Sequence, residues 1–351
     1  MYVGRGPRRA VSGHERGLSL ARVRYVVHGR GRGHATRARA VIAHLRDLGH
    51  QVAVAGGRDA LPVLGEADGD DVEEAPSLTP DMGVFRTLGG VVTRVSAERL
   101  ALTRDATEIV VSDGDMPSVL AARLMGCPSI AIGHGIVFSH GRPPAGISAD
   151  LWRREARKAR VASWGSTRQV AVNFVPVEAA KETVTVARPE VRSELRRSEP
   201  DGTVLAYFRD DNGEDVLRAL VSAGERPLLF SDVPCAVDGV EVRPRDPRAF
   251  TAALSCARAV ISSAGSQLIS ECVHLGVPQF ALYDRSDAEQ ALNVEMLRAA
   301  GLGDGASFAE VVAADLEGFL QATDQGRPEP APWDAPSAAQ AVAQLIDSLL
   351  A

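Results

Sequence analysis

Apolar and polar positions follow a repeating order along most of the chain. A short apolar run at 23–27 leads through a glycine-rich turn into a helical stripe of apolar residues, which ends at Gly49 and is followed by the strand-like segment QVAVAGG. Buried strands are short apolar runs, whereas an amphipathic helix repeats its apolar residues every three or four positions. The same alternation continues through TEIVVSDGD and PSIAIGHG. This order predicts β-α-β units and therefore a parallel sheet with helices on its faces.

A second series of the same kind begins after the polar segment ARPEVRSELRRSEPDG. The strand-like runs TVLAYF, PLLF, VEVRP, RAVISS and PQFALY alternate there with helical stretches. A polar segment bounded by proline and Asp-Gly is typical of a linker. The pattern therefore predicts an α/β protein with two parallel sheets, and a length of 351 residues suits two domains.

The chain divides into five predicted segments. Residues 1–20 lack apolar periodicity and are expected to form a disordered basic extension, and 21–186 are expected to form the first α/β domain. Residues 187–202 are the predicted linker, and 203–330 form the second α/β domain. A proline-rich stretch then leads to an apolar-striped helix within 331–351, which we expect to pack near the domain junction.

Charge and composition limit the classes of function. The net charge of −6 argues against a protein that coats nucleic acid, although residues 1–50 hold eleven arginines against two acidic residues, which leaves a basic nucleic-acid-binding arm as a minor alternative. We find neither the apolar region of a secretory signal nor a run of eighteen apolar residues that predicts a membrane span. The four cysteines lack zinc-site spacing, so we expect a cytoplasmic protein in which they pack as small hydrophobic residues.

The segment VHGRGRGHATRAR places glycines at 29, 31 and 33 directly before His34. This spacing matches neither the dinucleotide-binding pattern nor a phosphate-binding P-loop. It permits a tight turn with positive φ and the close approach of another molecule. His34 would then lie at the carboxyl edge of the first strand, beside a helix N-terminus that disfavours a charged imidazole, as a general base requires. A histidine that only caps the turn is the alternative.

Two acidic residues, Asp113 and Asp115, follow the apolar strand that ends TEIVVS. A pair of carboxylates at this spacing resembles a metal clamp, but two carboxylates alone make a weak metal site, and we predict no metal. Asp113 leaves the strand first and is the better candidate to orient His34 and to stabilise the imidazolium formed in a reaction. Asp115 suits a helix N-cap.

The segment VISSAGSQLISE is the most specific of the chain. A strand ends in SSAGS and a helix begins, so free backbone N–H groups and the hydroxyl of Ser266 would converge on one spot, which predicts a diphosphate site. Glu271 is the only acid on that helix and is placed to accept ribose hydroxyls. Asp284, Glu289 and Gln290 follow the next strand with the donors and acceptors that sugar hydroxyls require, as does Asn293 farther along.

Through GRGHATR, SSAGSQLISE and DAEQALN the chain resembles nucleotide-sugar glycosyltransferases of the GT-B fold from residue 23 to 349. It is similar both to antibiotic and other natural-product transferases and to the lipid-linked N-acetylglucosaminyltransferases of cell-wall synthesis. The resemblance implies two Rossmann-like domains that face each other across a cleft, with His34 as the base in the natural-product branch. It assigns the donor diphosphate to Ser263, Gly265 and Ser266, the ribose to Glu271, and the hexose to Glu289 and Gln290, with a glutamate where an aspartate is common.

The chain departs from that family in several places. YFRDDNGED lacks the usual Gly-Ser, so Arg209 or the amide of Asn212 is only a candidate for the phosphates. The base-recognition stretch is expected at Val242, Arg243 and Pro244, and it holds no aromatic residue, so uracil, thymine and guanine are not distinguished. The candidates for the acceptor side are Gly33, His134 and His140, although a lone histidine is more often a loop or core residue.

These features predict an inverting, metal-independent transferase that uses no cofactor and takes a sugar from a UDP-, dTDP- or GDP-sugar. The acceptor is expected to be a small natural product, because no basic apolar helix suits a membrane and no aromatic-basic platform suits a nucleic acid strand. The alternatives are a nucleotide-sugar 2-epimerase or hydrolase of the same fold and an inactive sugar-nucleotide-binding partner. A monomer and a homodimer both stay open.

Overall fold

A computed structural model describes residues 20–29, 32–68, 72–76, 84–209, 213–323 and 333–351. Residues 1–19 of the expected extension, Gly31 and Asn212 lie outside them. None of the helices in this part of the chain is long and apolar enough to cross a lipid bilayer.

The first half builds a sheet with helices on both faces. Its strands are β1 (Arg22–Val27), β2 (Gln51–Gly56), β3 (Glu73–Glu74), β4 (Ile109–Asp113), β5 (Ser129–Gly133), β7 (Arg168–Val172) and β9 (Val184–Ala187). Its helices are α1 (Arg32–Asp47), α2 (Leu61–Asp68), α3 (Val84–Arg104), α4 (Met116–Met125), α5 (Gly135–His140) and α6 (Ala149–Ala162). The strand order is β3-β2-β1-β4-β5-β7-β9, and every pair is parallel. Two short strands, β6 (Gly141–Arg142) and β8 (Glu178–Ala179), form a separate antiparallel pair.

The second half builds another parallel sheet. Its strands are β10 (Val204–Tyr207), β11 (Leu228–Phe230), β12 (Glu241–Arg243), β13 (Ala259–Ser263), β14 (Gln279–Tyr283) and β15 (Gly303–Ser307). The helices that follow β10 are α7 (Glu214–Ser222), α8 (Pro247–Cys256), α9 (Ser266–Leu275), α10 (Ala288–Ala299), α11 (Ala313–Thr323) and α12 (Ala338–Leu350). The order is β12-β11-β10-β13-β14-β15. The predicted fold class, two parallel α/β sheets, is confirmed.

Each sheet reverses its strand order at one place, between β1 and β4 in the first and between β10 and β13 in the second. Helices on the two sides of such a switch point leave opposite faces of the sheet, so a crevice opens at the carboxyl ends of the two strands. Ligands of open α/β sheets bind in that crevice. The fold therefore places one candidate site after β1 and β4, and another after β10 and β13.

The end of the chain returns to the first sheet. Residues 188–203 contain no helix or strand, and Arg188 N donates to Pro336 O at 2.8 Å just before α12 begins. Val342 and Ile346 of α12 pack in the same buried cluster as Leu45 of α1. A capping box at Ser337 satisfies the first N–H groups of α12 and fixes where the helix begins.

The two halves share a hydrophobic core. Phe138 and Trp152, on α5 and α6, belong to the same cluster of buried residues as Leu292 and Met296 on α10. Removing these side chains from water stabilises the contact by roughly 2 kcal/mol for each fully buried residue. This packing fixes the distance between the two switch-point crevices.

Candidate active site

His34 and Asp113 meet at the switch point of the first sheet. The strands β1 and β4 are paired with Val27 opposite Asp113, so α1, which follows β1, begins beside the end of β4. His34 Nδ1 lies 2.6 Å from Asp113 Oδ1. The contact between a strand-end carboxylate and the histidine, expected from the sequence, is therefore formed.

The carboxylate selects the tautomer of His34. An ionised carboxylate only accepts hydrogen bonds, so the proton of a neutral His34 ring lies on Nδ1 and Nε2 is left as an acceptor. The His34 side chain is 35 % exposed, whereas the Asp113 side chain is 0 % exposed. Nε2 of this tautomer can accept a proton from a molecule in the crevice, as a general base does.

Arg37, which the sequence interpretation did not single out, holds the other side of Asp113. Its Nε donates to Oδ2 at 2.9 Å, and its Nη2 donates to Oδ1. Burial raises the pKa of the Asp113 carboxyl group, but the charge of Arg37 and the hydrogen bonds from Arg37 and His34 outweigh burial, so the pKa lies below its usual range. Arg37 follows His34 by three residues, and that spacing on one helix face was the signal in the sequence.

The glycine with a positive φ beside His34 follows β4, whereas the sequence analysis expected one in the segment before His34. Gly33 has no positive φ, and helix α1 already begins at Arg32, so this part of the prediction was wrong for Gly33. Gly114, after β4, has φ +77°, and a Cβ there would lie 3.3 Å from His34 Cε1. The space beside the His34 imidazole is therefore left open by Gly114, which follows Asp113 at the end of β4.

Asp115 has the structural role expected for it. Its Oδ2 accepts from Ser118 N at 3.0 Å and caps α4, and Arg94 Nη2 lies 3.3 Å from both of its carboxylate oxygens. Asp113, the last residue of β4, and Asp115 after it are therefore each bonded to an arginine. Among the described residues, no group of three or more His, Cys, Asp or Glu side chains is placed to hold a metal ion.

The first turn of α9 forms the second candidate site, at the switch point of the second sheet. Gly265 is the exposed N-cap residue and has no side chain to cap the helix, so within the described part of the chain the first N–H groups of α9 have no side-chain cap. Ser263 Oγ accepts from Arg209 N at 3.1 Å, which joins the ends of β13 and β10. Four residues predicted for the diphosphate are thus brought together: Ser263, Gly265, Ser266 and Arg209.

The two sites lie against each other. A Cβ built on Gly33 would lie 3.6 Å from Cβ of Gln267, which is in the first turn of α9. Gly33, predicted for the acceptor side, therefore lies where the first turns of α1 and α9 meet. A group bound at the uncapped end of α9 would be a neighbour of His34.

Glu271 lies behind the α9 turn and is not exposed. The residue is 0 % exposed, and Arg192 binds both of its carboxylate oxygens, with Nε at 3.0 Å and Nη2 at 2.8 Å. Gln267 Nε2 is a third donor, 3.2 Å from Oε1. A ribose would have to displace Arg192 to reach this carboxylate, and the ribose assignment stays a prediction.

The three residues predicted to bind the sugar ring lie in different surroundings. Asp284 is exposed and accepts from Ser286 N at 2.7 Å, in the turn before α10. Gln290 N donates to the helix cap Asp287 at 3.1 Å. Glu289 is half-buried, and its charge contributes to holding the pKa of Arg37 above its usual value, against the lowering effect of burial. Glu289 and Gln290 are half-buried in the first turn of α10, whereas Asp284 lies in an exposed turn.

The stretch predicted for the base is exposed. Val242 is 40 % exposed on the edge strand β12, Arg243 forms an ion pair with Glu241 beside it, and Pro244 is exposed too. Aromatic rings that the sequence interpretation did not connect with this stretch lie on neighbouring elements. The rings of Tyr207 and Phe250 lie 5.4 Å apart between centroids, and the Arg245 guanidinium lies 5.6 Å from the Tyr207 ring.

The two histidines predicted for the acceptor side differ in burial and in hydrogen bonding. His134 is 5 % exposed, with Nδ1 3.0 Å from Val172 O and Nε2 2.7 Å from Asn293 Oδ1, so it joins the two halves of the protein. His140 Nε2 lies 3.0 Å from Ser163 Oγ, at the end of α6. Burial and two hydrogen bonds give His134 a structural role. His140 is half-buried and its Nδ1 has no hydrogen-bond partner among the described residues, so its assignment to the acceptor side stays a prediction.

The match to known families decides the class of enzyme. A comparison with protein-family models matches the chain to glycosyl transferase family 1 over residues 21–80 and 83–323. The chain belongs to glycosyl transferase family 1. The family predicted from the sequence motifs is therefore confirmed, and the protein is a glycosyltransferase. A search of curated protein sequences gives no match.

Solved structures of similar fold cover nearly the whole transferase. SsfS6 of Streptomyces sp. SF2575, complexed with thymidine diphosphate, is 18 % identical with a TM-score of 0.62 over 93 % of this chain and 99 % of that chain. The spinosyn forosaminyltransferase SpnP is 14 % identical with a TM-score of 0.63 over 95 % and 100 %. MurG of Acinetobacter baumannii is 16 % identical with a TM-score of 0.62 over 93 % and 99 %. At these identities the likeness shows the fold, which is GT-B.

Proposed function

We propose that the transferase moves a sugar from a nucleoside-diphosphate sugar to a hydroxyl group of a small-molecule acceptor, with inversion at the anomeric carbon. One observation carries this proposal. The His34–Asp113 pair lies beside the uncapped first turn of α9, across the contact between Gly33 and Gln267. A base and an anion site that lie next to each other can serve the attacking hydroxyl and the leaving group of one displacement reaction.

In the proposed step, His34 Nε2 takes the proton of the acceptor hydroxyl as its oxygen attacks the anomeric carbon. The bond from that carbon to the diphosphate oxygen breaks, and the nucleoside diphosphate leaves with the electron pair. Asp113 accepts the Nδ1 proton in a hydrogen bond and stabilises the imidazolium that forms. Attack from the face opposite the leaving group gives inversion.

The leaving diphosphate is stabilised by the N–H groups of the first turn of α9, the positive end of the helix dipole and the Ser266 hydroxyl. Ser263 and Arg209 border the same spot from the ends of β13 and β10. In this proposal no metal is needed, because fixed N–H donors and an arginine supply the positive charge that a metal would bring.

The structure of SsfS6 in complex with thymidine diphosphate supports a nucleoside-diphosphate donor. The spinosyn forosaminyltransferase among the structures of similar fold supports an acceptor of the natural-product class. The exposed stretch Val242–Pro244 is the proposed contact of the base, and Glu289 and Gln290 are the proposed contacts of the sugar.

The first experiment measures thermal stability with UDP, dTDP and GDP in chelator-treated buffer, for the wild type and His34→Ala. A donor nucleotide is expected to raise the melting temperature of both proteins, because His34 lies on the acceptor side. Transfer from the matching sugar is expected to fall at least about 100-fold in His34→Ala, the contribution of a general base. The absence of a shift with every nucleotide, or equal transfer by both proteins, would overturn the proposal.

A further inference from the structure

Arg37 lies beneath the His34–Asp113 pair, on the face of α1 that carries His34 one turn earlier. Its side chain is 7 % exposed, and it binds both oxygens of a carboxylate that is 0 % exposed. Two parallel hydrogen bonds from one guanidinium fix the plane of a carboxylate as well as its position. Asp113 therefore cannot rotate about its last bond without breaking a contact to Arg37.

The carboxylate plane that Arg37 fixes also sets the direction of the hydrogen bond between Asp113 and His34. Oδ1 of Asp113 accepts from Arg37 Nη2 and lies 2.6 Å from His34 Nδ1. Arg37 Nη2 is 3.2 Å from the same Nδ1, yet a guanidinium only donates, so two N–H groups converge on one oxygen instead of bonding to each other. Arg37 thereby leaves the Nδ1 proton on His34 and Nε2 free to accept a proton.

Arg37 also balances the charge of the pair. A buried aspartate next to a histidine attracts a proton onto the ring when no other cation is near, and a protonated ring is no base. Arg37 supplies that cation. Among the described residues, the other titratable groups near the cluster include His28 after β1, with its ring 6.0 Å from that of His34. Tyr25 on β1 and Glu289 on α10 interact electrostatically with Arg37.

We propose that Arg37 is a positioning residue, which holds Asp113 in the plane of the His34 ring and keeps that ring neutral before the acceptor arrives. The inference rests on the proposed role of His34 as the base. It makes the working base a set of three side chains, in which Arg37 acts through Asp113.

The first test needs no substrate. Nitrogen-15 spectra of the histidine rings in the ligand-free protein near pH 7 are expected to show His34 protonated at Nδ1 and unprotonated at Nε2. In Arg37→Gln the ring is expected to be protonated at both nitrogens in a large fraction of molecules, whereas Arg37→Lys keeps the neutral form because it keeps the charge. The exposed Arg39→Gln on the same helix is the matched control and leaves the spectrum unchanged. Identical His34 signals in the wild type and Arg37→Gln would overturn the proposal.

The second test uses transfer rates across pH. Arg37→Gln is expected to lower kcat about 100-fold at neutral pH by misplacing the base, with the donor KM unchanged. Loss of the Arg37 charge is also expected to move the acidic limb of kcat/KM to higher pH. Arg37→Lys is expected to restore the wild-type acidic limb but only part of kcat. A lysine ammonium cannot make the two parallel hydrogen bonds by which a guanidinium fixes the plane of Asp113. A lysine variant indistinguishable from the glutamine variant would contradict the role of the charge.

The two tests separate the two proposals. If no sugar transfer or nucleotide binding is found, the proposed function fails, while the ring spectra still decide what Arg37 does. Melting temperatures of both variants show whether each is folded, and Arg37→Lys tests the geometry if Arg37→Gln does not fold.

Discussion

Arg192 and Glu271 form a bidentate ion pair that ties the segment between the two sheets to helix α9. The Arg192 guanidinium lies 5.2 Å from the centre of the Phe250 ring and donates to Thr251 Oγ1 at 2.9 Å. Burial raises the pKa of Glu271, and the attraction and hydrogen bonds of Arg192 and Gln267 lower it only in part. The pair therefore holds a buried carboxylate directly behind the turn proposed to bind the diphosphate.

Replacing Arg192 by methionine is expected to lower the free energy of unfolding by about 3 kcal/mol, because Glu271 would stay buried without its cation. Adding Glu271→Gln to that variant removes the buried charge and is expected to recover part of the loss. Urea unfolding measures both effects. The exposed Arg197→Met is the matched control, with a change within about 0.5 kcal/mol. A loss for Arg192→Met no larger than that of the control would show that the pair adds no stability.

The ribose contact predicted for Glu271 can be distinguished from a purely structural role by nucleotide binding. If the ribose hydroxyls displace Arg192 from the carboxylate, the wild type is expected to bind UDP more tightly than 2′,3′-dideoxyuridine diphosphate by about tenfold, as expected for hydrogen bonds to a charged group. Glu271→Gln is expected to reduce this preference. Calorimetric titration of both nucleotides measures it. Equal affinity of the wild type for the two nucleotides would remove Glu271 from the donor site and leave it as a support for α9.

Gly114 is expected to tolerate no side chain. Its φ of +77° disfavours alanine by roughly 1 to 2 kcal/mol, and the new Cβ would lie 3.3 Å from the His34 ring. Gly114→Ala should therefore lower both the melting temperature and kcat. Gly126, the C-cap of α4, has φ +69° and open space around its Cβ position, so Gly126→Ala is expected to lower stability alone. If both variants lost the same fraction of activity, crowding of His34 would not be the cause.

The sequence predicted the sheets because their signal is local. Short apolar runs and helical stripes alternate in order along the chain, and parallel β-α-β units follow from that order. It also placed His34 and Asp113 together, since both follow strands whose carboxyl ends share one edge. The partner of Glu271 was not predicted, because Arg192 is 79 residues away in the chain and no local pattern joins them. The partner of His134 was not predicted for the same reason, since Asn293 lies on α10 in the second half of the chain.

The pH dependence of stability follows from Asp113. Its pKa lies below the usual range, so its contribution to stability is present above the unfolded pKa of about 4 and is lost as the pH falls below that value. Asp113→Asn lacks this contribution. The difference in melting temperature between the wild type and Asp113→Asn is therefore expected to be largest near neutral pH and to shrink below about pH 4. A difference that stayed constant across this range would place the effect in packing and not in the charge.

His134 and Asn293 are expected to be coupled across the two halves of the transferase. His134 Nε2 lies 2.7 Å from Asn293 Oδ1, and Asn293 Nδ2 donates to Ala264 O at 3.0 Å, so removal of either side chain leaves buried polar groups without partners. A double-mutant cycle of the two alanine variants is expected to give a coupling free energy of about 1 to 3 kcal/mol.

The same pair is expected to hold the two candidate sites together. In small-angle scattering, His134→Ala and Asn293→Ala should each increase the radius of gyration, because the bond between α10 and the end of β5 is lost. His140→Ala is the control: its ring contacts Ser163 within the first half, so it lowers stability without moving the second half. An unchanged radius in all three variants would mean that the shared apolar core, with Phe138 and Met296, fixes the domain distance without help from the polar pair.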